Sequence, residues 1–346
     1  MSNQKQFNVA VVGATGAVGQ NIIKLLEERN FPINELKLLS SARSAGKAVP
    51  FKRSEITVQE AMPQSFEGID IALFSAGGEV SKTLVPHAVQ SGAIVIDNTN
   101  AFRMDPDTPL IVPEVNMDQM NGHKGVIANP NCSTIQLVAA LKPLHDCYGI
   151  SKVIVSTYQA VSGAGVQAIE ETLRQSREVL DGHEVKPDIL PVGSLPKKHQ
   201  IAFNAIPQID KFEENGFTLE EMKMIRETKK ILGDDSIEVT ATCVRIPVIY
   251  GHSESVYVEL KKDFVMEDIR SILTNAPGIV LQDDPKQQLY PLAVNAAGRP
   301  DVFVGRLRKD LNHMRALNMW IVSDNLLKGA AWNAVQIAEY IAIEQK

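Results

Sequence analysis

The fold of the first part of the chain is decided by the stretch Gly13-Ala14-Thr15-Gly16-Ala17-Val18-Gly19. It follows an apolar run, Phe7–Val12, that is typical of a buried strand, and it leads into Gln20–Arg29, where apolar residues recur at helical spacing. Glycines between a strand and a helix permit a tight turn, and the N–H groups at the helix start can hold a pyrophosphate. We therefore expect a dinucleotide to bind here; the alternative is a glycine turn that only packs the helix on the strand.

The residues after this turn continue to alternate between strands and helices. Strands are predicted at Leu36–Ser40, Ile69–Ser75 and Ala93–Asp97, and a helix is predicted at Val80–Ser91. This order predicts a doubly wound parallel sheet, and hence a Rossmann-like α/β domain.

From about residue 152 the strand-like stretches become longer and richer in β-branched residues. They predict a second, α+β domain with a mixed sheet. The predicted strands are Lys152–Gln159, Ile237–Ile246 and Ser255–Lys261, and the predicted helices are Gly165–Leu180, Thr218–Ile231 and Asp324–Ile343.

Length and composition limit the possible classes of protein. The chain has 346 residues, which suggests two domains, and its hydrophobic and charged content is that of a folded globular protein. The net charge of −6 argues against binding to nucleic acid or to an anionic membrane. No apolar run is long enough to span a membrane and the N-terminus lacks an export signal, so we expect a cytoplasmic protein.

The strongest catalytic signal is Cys132, in the stretch Asn129-Pro130-Asn131-Cys132-Ser133-Thr134. An apolar-periodic segment starts directly after it, which predicts a helix N-terminus, where the helix dipole lowers the pKa of a thiol and stabilises a nearby oxyanion. We therefore predict a nucleophilic cysteine. The other two cysteines, Cys147 and Cys243, are expected to be small core residues. Three widely spaced cysteines fit neither a disulfide framework nor a Cys-x-x-Cys metal site.

A thiolate nucleophile needs a partner for proton transfer, and His252 is the candidate among seven histidines. It follows the segment Arg245–Gly251 and precedes another strand-like segment, which predicts a short turn between two strands. The alternative is a loop histidine that is only exposed to solvent.

Three further charged residues are candidates for binding a substrate. Arg245 lies on a strand of otherwise uncharged residues, where its guanidinium needs an anionic partner, either a bound substrate or an internal ion pair. Glu220 and Lys223 stand three residues apart and therefore share one helix face, which by itself indicates only a solvated pair.

The residues that distinguish NAD from NADP are expected at the end of the second strand, where NAD enzymes carry Asp or Glu. Here the residues are Ser40-Ser41-Ala42-Arg43-Ser44. Hydroxyl groups and a guanidinium suit a 2′-phosphate, which favours NADP; the alternative for Arg43 is a solvated side chain on a turn.

Five motifs follow one another along nearly the whole chain, and by them it resembles the aspartate-semialdehyde dehydrogenases. They are Gly13–Gly19, Asn129–Thr134, Ser156–Gly165, Ile201–Asn204 and Arg245–Ser253. The Asn-Cys-Ser-Thr turn, the Gln-Ala-Val-Ser-Gly-Ala-Gly run and the Arg-Ile-Pro-Val to Gly-His-Ser segment are specific, whereas the glycine turn alone is not.

The resemblance implies reversible, NADPH-dependent reduction of L-aspartyl 4-phosphate to L-aspartate 4-semialdehyde and phosphate, a step towards lysine, methionine and threonine. Cys132 is then the nucleophile that forms an acyl thioester, His252 is the acid–base, and Gln159 orients the acyl group. Arg245 is expected to bind the substrate carboxylate, and Glu220 its ammonium group.

A phosphate site and a cofactor site are also implied by the resemblance, and no metal site is. The phosphate would be bound by Arg103, Lys223 and Asn131. The cofactor, NADP(H), would be bound by Gly13, Thr15, Gly16, Ala17, Val18, Ser40, Arg43, Ser44, Ser162, Gly163 and Asn325.

In the family the last helix returns to the cofactor domain, and the middle domain forms a homodimer interface. The resemblance therefore implies an NADP-binding domain of residues 1–134, completed by 325–346, and a catalytic and dimerisation domain of residues 135–324. Two alternatives remain open. One is an N-acetyl-γ-glutamyl-phosphate reductase, whose acetylated substrate offers no ammonium to Glu220; the other is a non-catalytic NADP-binding sensor in which Cys132 is structural.

Overall fold

The computed structural model describes residues 5–344, which divide into two compact units. The second unit is Cys132–Gly329, and the first unit consists of the described residues on either side of it, 5–131 and 330–344. The first unit is thus discontinuous in sequence. The boundaries implied by the resemblance, after residues 134 and 324, lie within a few residues of these divisions.

Both units combine strands with helices. The strands are β1 (Phe7–Val12), β2 (Ile33–Ser40), β3 (Ala48–Phe51), β4 (Ser54–Thr57), β5 (Gln59–Glu60), β6 (Ile71–Phe74), β7 (Ile94–Asp97), β8 (Val126–Ala128), β9 (Ile150–Gln159), β10 (Glu238–Arg245), β11 (His252–Leu260), β12 (Ile279–Leu281), β13 (Val302–Lys309) and β14 (Ala316–Ser323). The α-helices are α1 (Ala17–Glu28), α2 (Gly78–Gln90), α3 (Pro113–Asn116), α4 (Cys132–Tyr148), α5 (Val166–Leu180), α6 (Leu219–Leu232), α7 (Met266–Asn275), α8 (Ala293–Ala296) and α9 (Trp332–Glu344).

The sheet of the first unit has six parallel strands in the order β5-β2-β1-β6-β7-β8. Strand β6 is buried along its whole length, and β1 is buried except at Asn8, as a parallel sheet covered on both faces requires. The predicted doubly wound parallel sheet is confirmed. Because the chain moves outward from β1 in both directions, a ligand crevice is expected at the carboxyl ends of β1 and β6.

Local patterns located most elements of this unit, with small shifts at their ends. Strand β1 has the predicted bounds, whereas helix α1 begins at Ala17 rather than Gln20. The helix was predicted from the apolar residues within Gln20–Arg29, and its first turn lies before them. The hairpin β3–β4 was not predicted. The last predicted helix opens with a π-helical turn, Leu327–Ala331, and continues as α9.

The sheet of the second unit has six strands in the order β10-β9-β11-β14-β13-β12. The two outer pairs are parallel and the three inner pairs are antiparallel, which confirms the predicted mixed sheet. Helices α4, α6 and α7 pack on one face. On the opposite face, which we call the open face, Ile154 and Tyr158 are 44% and 36% exposed. No helix within residues 5–344 is both long and apolar enough to cross a membrane.

Candidate active site

Cys132 is the first residue of helix α4, as the sequence predicted. The helix is held in the core of the second unit by buried apolar residues that begin at Ile135. Its first N–H groups have no partner within the helix, so the start of α4 offers donors and a positive dipole end to a thiolate or an oxyanion. Cys243 is buried as expected, and burial together with the charge of Glu220 raises its pKa well above the usual value. Cys147, which we expected in the core, is exposed near the end of α4.

Four polar residues, one from each of four neighbouring strands, form a row beneath the start of α4. In the sheet, Arg245 of β10 lies opposite Gln159 of β9, and His252 of β11 lies opposite Ser323 of β14. Gln159 and His252 are brought side by side by the pairing of β9 with β11. All four side chains are buried. We call this set, Arg245, Gln159, His252 and Ser323, the polar row.

His252 opens strand β11 and is fully buried, so the expected turn and the alternative of an exposed loop histidine are both wrong. The backbone N–H of Ala160 donates a hydrogen bond of 3.0 Å to its Nδ1. In the neutral ring the proton must therefore sit on Nε2, which has no hydrogen-bond partner among the described residues. Burial, and after it the positive charge of Arg245, lowers the pKa of His252 to about 3. The ring is thus a neutral donor at physiological pH.

Arg245 is held by the backbone rather than by an acid. Its Nη1 donates to the carbonyl oxygen of Ala160 at 2.7 Å, and its Nε has no hydrogen-bond partner in the described chain. Burial lowers the pKa of this guanidinium, while the charges of Glu220 and of the Cys132 thiolate oppose that shift. No carboxylate of residues 5–344 pairs with it, so the alternative of an internal ion pair is not what the structure shows.

Gln159 and Glu220 join the polar row to helix α6. The Nε2 of Gln159 donates to Oε1 of Glu220 at 2.9 Å and also to the hydroxyl of Ser133, the residue after Cys132. Lys223 donates to Oε2 of Glu220 at 3.3 Å and to Asp210 at 3.0 Å. Glu220 is buried, so the sequence alternative of a solvated pair is wrong for it.

The start of α6 is fixed by a capping box. Thr218 accepts a hydrogen bond from the N–H of Glu221, and the Glu221 side chain accepts one from the N–H of Thr218. These two hydrogen bonds fix the first turn of α6, and they therefore fix the position of Glu220 next to the polar row.

The three residues of the implied phosphate site are divided between the units. Arg103 and Asn131 belong to the first unit and Lys223 to the second. Arg103 is buried, and its guanidinium donates to the carbonyl oxygens of Asn129 at 3.0 Å and Asn98 at 2.8 Å. The backbone thus fixes the direction of this cation.

A cleft of about 660 Å³ lies at the carboxyl ends of β1 and β6 in the first unit. It is lined by six of the predicted cofactor residues, Gly13, Thr15, Gly16, Ser40, Arg43 and Ser44. Ala17 and Val18 form the start of α1, directly after this lining. Sequence reasoning missed the lining residues Ser75 and Ala76, although a site at the end of the strand next to β1 is expected for this topology.

The glycines of the turn fit a dinucleotide. Gly13 has φ +87°, a conformation that L side chains rarely adopt, and a Cβ on Gly19 would lie 2.2 Å from the carbonyl oxygen of Gly13. The turn therefore brings the helix start close to the strand end, where N–H groups can hold phosphate oxygens.

The remaining predicted cofactor residues lie in the second unit. Ser162 and Gly163 are in the short 3-10 helix Val161–Ala164, and Nδ2 of Asn325 donates to the Ser162 hydroxyl at 3.0 Å. A Cβ on Gly163 would come within 3.1 Å of Nη1 of Arg245, so this backbone borders the polar row.

Sequence reasoning also missed Gln136 and Glu254. Gln136 lies one turn after Cys132 on α4, accepts a hydrogen bond of 2.7 Å from the Ser323 hydroxyl, and donates to the carbonyl oxygen of His252 at 3.4 Å. The spacing of four residues from Cys132 was the sequence signal for Gln136. Glu254 shares the strand face of His252 and is fully buried, which only the pairing of β11 reveals.

Comparison with known proteins agrees with this geometry. Residues 8–123 match the NAD binding domain of the semialdehyde dehydrogenases, and residues 141–328 match their dimerisation domain. The aspartate-semialdehyde dehydrogenase of Bacillus subtilis (strain 168) is 63% identical over 334 residues, which cover 96% of each chain. That of Aquifex aeolicus (strain VF5) is 54% identical over 342 residues and 98% of each chain.

Solved structures give the same result. The crystal structure of aspartate semialdehyde dehydrogenase II from Vibrio cholerae has a TM-score of 0.92 and 48% identity, and the match covers 97% of this chain and 98% of that one. A second crystal structure of that protein, complexed with ASA, has the same TM-score at 47% identity. The chain belongs to the aspartate-semialdehyde dehydrogenase family.

Proposed function

We propose that this protein catalyses the NADPH-dependent reductive dephosphorylation of L-aspartyl 4-phosphate to L-aspartate 4-semialdehyde and phosphate, through a thioester on Cys132. One observation carries the assignment. Three buried polar atoms of the polar row, Oε1 of Gln159, Nε of Arg245 and Nε2 of His252, have no hydrogen-bond partner among the described residues. Buried polar groups are normally paired, so these three are best explained as groups that bind a polar substrate.

The charges around the polar row suit a free amino acid. Arg245 offers a fork of N–H donors to a carboxylate, and the buried Glu220 carboxylate offers acceptor positions to an ammonium group. An acetylated amine would bring no positive charge to Glu220. The geometry therefore favours aspartyl phosphate over the N-acetyl-γ-glutamyl phosphate of the alternative.

Cys132 begins the reaction by attacking the acyl-phosphate carbonyl carbon as a thiolate. The carbonyl oxygen becomes an oxyanion, and we assign its stabilisation to the N–H groups at the start of α4 and to the Nε2–H of His252. When the tetrahedral adduct collapses, the bond between the acyl carbon and the oxygen of the phosphate group breaks, and phosphate leaves with the electron pair of that bond. Arg103, Lys223 and Asn131 are assigned to the departing phosphate by the family resemblance.

The cofactor would be held by the cleft residues Gly13 to Val18 and by Ser162, Gly163 and Asn325. When bound, the reduced nicotinamide supplies the hydride that the thioester carbon accepts. His252 donates a hydrogen bond from Nε2–H to the oxygen of the resulting thiohemiacetal, and the proton that it shares with this oxygen returns to Nε2 as the carbonyl group re-forms. Breakage of the carbon–sulfur bond then releases the aldehyde and restores the thiolate of Cys132.

NADP is proposed over NAD because of the residues after β2. Ser40 and Ser44 line the cleft with hydroxyl groups, and the guanidinium of Arg43 has no carboxylate partner within residues 5–344. Arg43 is therefore available to a 2′-phosphate.

A homodimer is proposed as the working assembly, in the cytoplasm. The second unit matches the family's dimerisation domain, and its open face carries Tyr158 and Trp320, with ring centroids 5.5 Å apart, and the exposed Ile154. Exposed aromatic and aliphatic side chains on a sheet face are typical of an interface.

The proposal is tested by the reverse reaction, followed by absorbance, with aspartate semialdehyde, phosphate and either NADP or NAD. We expect Cys132→Ala to abolish turnover while NADP still binds, and Cys147→Ala, which removes an exposed thiol of the same helix, to remain active. Turnover by Cys132→Ala at the wild-type rate would remove the thioester from the mechanism. Cofactor binding without turnover in the wild type would favour the sensor.

A further inference from the structure

The last residues of the second unit lie against the nucleophile and against the residue that precedes His252. We propose that the segment Asp324–Gly329 sets the relative position of Cys132 and His252, with Gly329 as the positioning residue for the thiol. The inference rests on the proposed function, because it takes Cys132 as the nucleophile.

Gly329 touches the nucleophile with its backbone. A Cβ on Gly329 would lie 2.7 Å from Cβ of Cys132 and 3.2 Å from its Cα, and real Cβ atoms essentially never come closer than 3.0 Å to a heavy atom of a residue that is not a chain neighbour. The neighbour in this contact is the first residue of α4, not the flexible end of a side chain. Any side chain at position 329 must therefore move Cys132 or move away from it.

The backbone conformation explains why a glycine stands here. Gly329 lies in the π-helical turn Leu327–Ala331, and its N–H donates to the carbonyl oxygen of Asp324, five residues earlier, at 3.1 Å. Glycine is unfavourable inside a helix, and π turns are found frequently at functional sites. The close approach to Cys132 supplies the packing reason for both features.

Asn325, near the other end of the segment, holds the residue before His252. Its Oδ1 accepts a hydrogen bond of 3.0 Å from the backbone N–H of Gly251. Because His252 follows directly, movement of Asn325 would displace the acid–base ring from the polar row. Segment 324–329 therefore contacts the nucleophile at one end and the strand that carries the acid–base near the other.

Asp324 holds the segment in shape between these contacts. Its Oδ1 accepts hydrogen bonds from the N–H groups of Leu326 at 2.8 Å and Leu327 at 3.1 Å, and its Oδ2 accepts one of 2.7 Å from Gly298. With the acid buried and both of its oxygens engaged, the segment acts as a rigid spacer.

The test compares Gly329→Ala with Gly193→Ala in the full-length enzyme. Gly193 is exposed, and a Cβ there would meet no atom within 4 Å, so the control reports the general effect of exchanging glycine for alanine. The readouts are kcat, the KM values for semialdehyde and NADP, and the rate at which iodoacetamide alkylates Cys132, followed by mass spectrometry of the peptide.

We expect Gly329→Ala to lower kcat by about 10²-fold, because a displacement of about 1 Å in a reacting group has that effect. The alkylation rate of Cys132 should change several-fold, while the KM for NADP and the melting temperature stay near the control. A general packing defect would lower the melting temperature without changing thiol reactivity in the folded enzyme. Wild-type kcat and alkylation rates in Gly329→Ala would overturn the proposal.

If Gly329→Ala does not fold, a milder variant tests whether the segment Asp324–Gly329 positions Cys132. Asp324→Asn keeps an acceptor for Leu326 and Leu327 but turns an amide towards the N–H of Gly298, which loosens the segment. We expect a smaller fall in kcat together with changed alkylation of Cys132, and wild-type values of both would overturn the proposal. Cys132→Ser tests the proposed function separately from the positioning role of Gly329. An active Cys132→Ser enzyme contradicts the proposed function. The alkylation rates of the variants that keep Cys132 still report whether Gly329 positions the thiol.

Discussion

The backbone N–H of Ala160 donates to Nδ1 of His252 at 3.0 Å and so decides which ring nitrogen carries the proton. Ala160 follows Gln159 directly, and its carbonyl oxygen accepts from Arg245, so the backbone of one residue orients both the imidazole of His252 and the guanidinium. Nε2–H is then a donor towards a substrate oxygen. A neutral ring of this tautomer cannot accept the thiol proton at Nε2, so in the proposed mechanism His252 acts at the substrate oxygen rather than at thiol activation.

His252→Asn is expected to separate the two halves of the reaction. Acyl transfer should still release about one equivalent of phosphate per active site, because Cys132 and the start of α4 remain, while steady-state reduction falls by roughly 10²- to 10⁴-fold. Rapid-quench measurement of phosphate provides the test. His313→Asn, at an exposed position of the same unit, is the control and should match the wild type. Loss of the burst in His252→Asn would mean that this residue acts at thiol activation.

Arg245→Lys should damage the enzyme although the charge is kept. A lysine cannot donate to the carbonyl oxygen of Ala160 and also present a fork to a carboxylate, so we expect kcat/KM for the semialdehyde to fall by about 10- to 100-fold. The KM for NADP should change less, since Arg245 is not among the residues that line the cofactor cleft. Arg308→Lys, an exposed arginine of the same sheet, is the control. A kinetically silent Arg245→Lys would remove Arg245 from the substrate site.

Arg43→Ala is expected to weaken NADP binding by about tenfold and NAD binding far less, because only NADP carries the 2′-phosphate. Titration calorimetry with each cofactor measures both affinities. Arg53→Ala removes another exposed arginine of the first unit and should leave both affinities unchanged. Equal losses for NADP and NAD in Arg43→Ala would show that its guanidinium does not contact the 2′-phosphate.

The parts of the molecule that the sequence predicts well are those determined by neighbouring residues. The strand, turn and helix from Phe7 to Glu28 depend on a few successive positions, and so does the placement of Cys132 at the start of α4. The polar row is different, because it exists only when β10, β9, β11 and β14 are paired in one register. His252 therefore resembled an exposed turn residue in the sequence, although the strand pairing buries it.

The same reasoning explains Glu254, which sequence patterns did not reveal. It lies two residues after His252 on the same strand face, opposite Thr157 of β9, and it is fully buried. Burial raises the pKa of Glu254 well above its usual 4.5, a hydrogen bond with Gln136 opposes this shift, and the nearby charge of Glu220 adds to it. The folded protein therefore holds the proton of this carboxyl more tightly than the unfolded chain does.

Glu254→Gln should remove a pH dependence of stability whose sign follows from that pKa. Between pH 4.5 and the raised pKa, the folded state keeps the proton and the unfolded state has lost it, so the wild type loses about 1.4 kcal/mol of unfolding free energy per pH unit from this group. Glutamine cannot ionise, so the free energy of unfolding of the variant should increase relative to that of the wild type as the pH rises from 5 to 8. Urea unfolding at several pH values measures the difference, with Glu259→Gln, partly exposed on the same strand, as the control. A constant difference between Glu254→Gln and wild type across this range would mean that Glu254 is ionised in the folded protein.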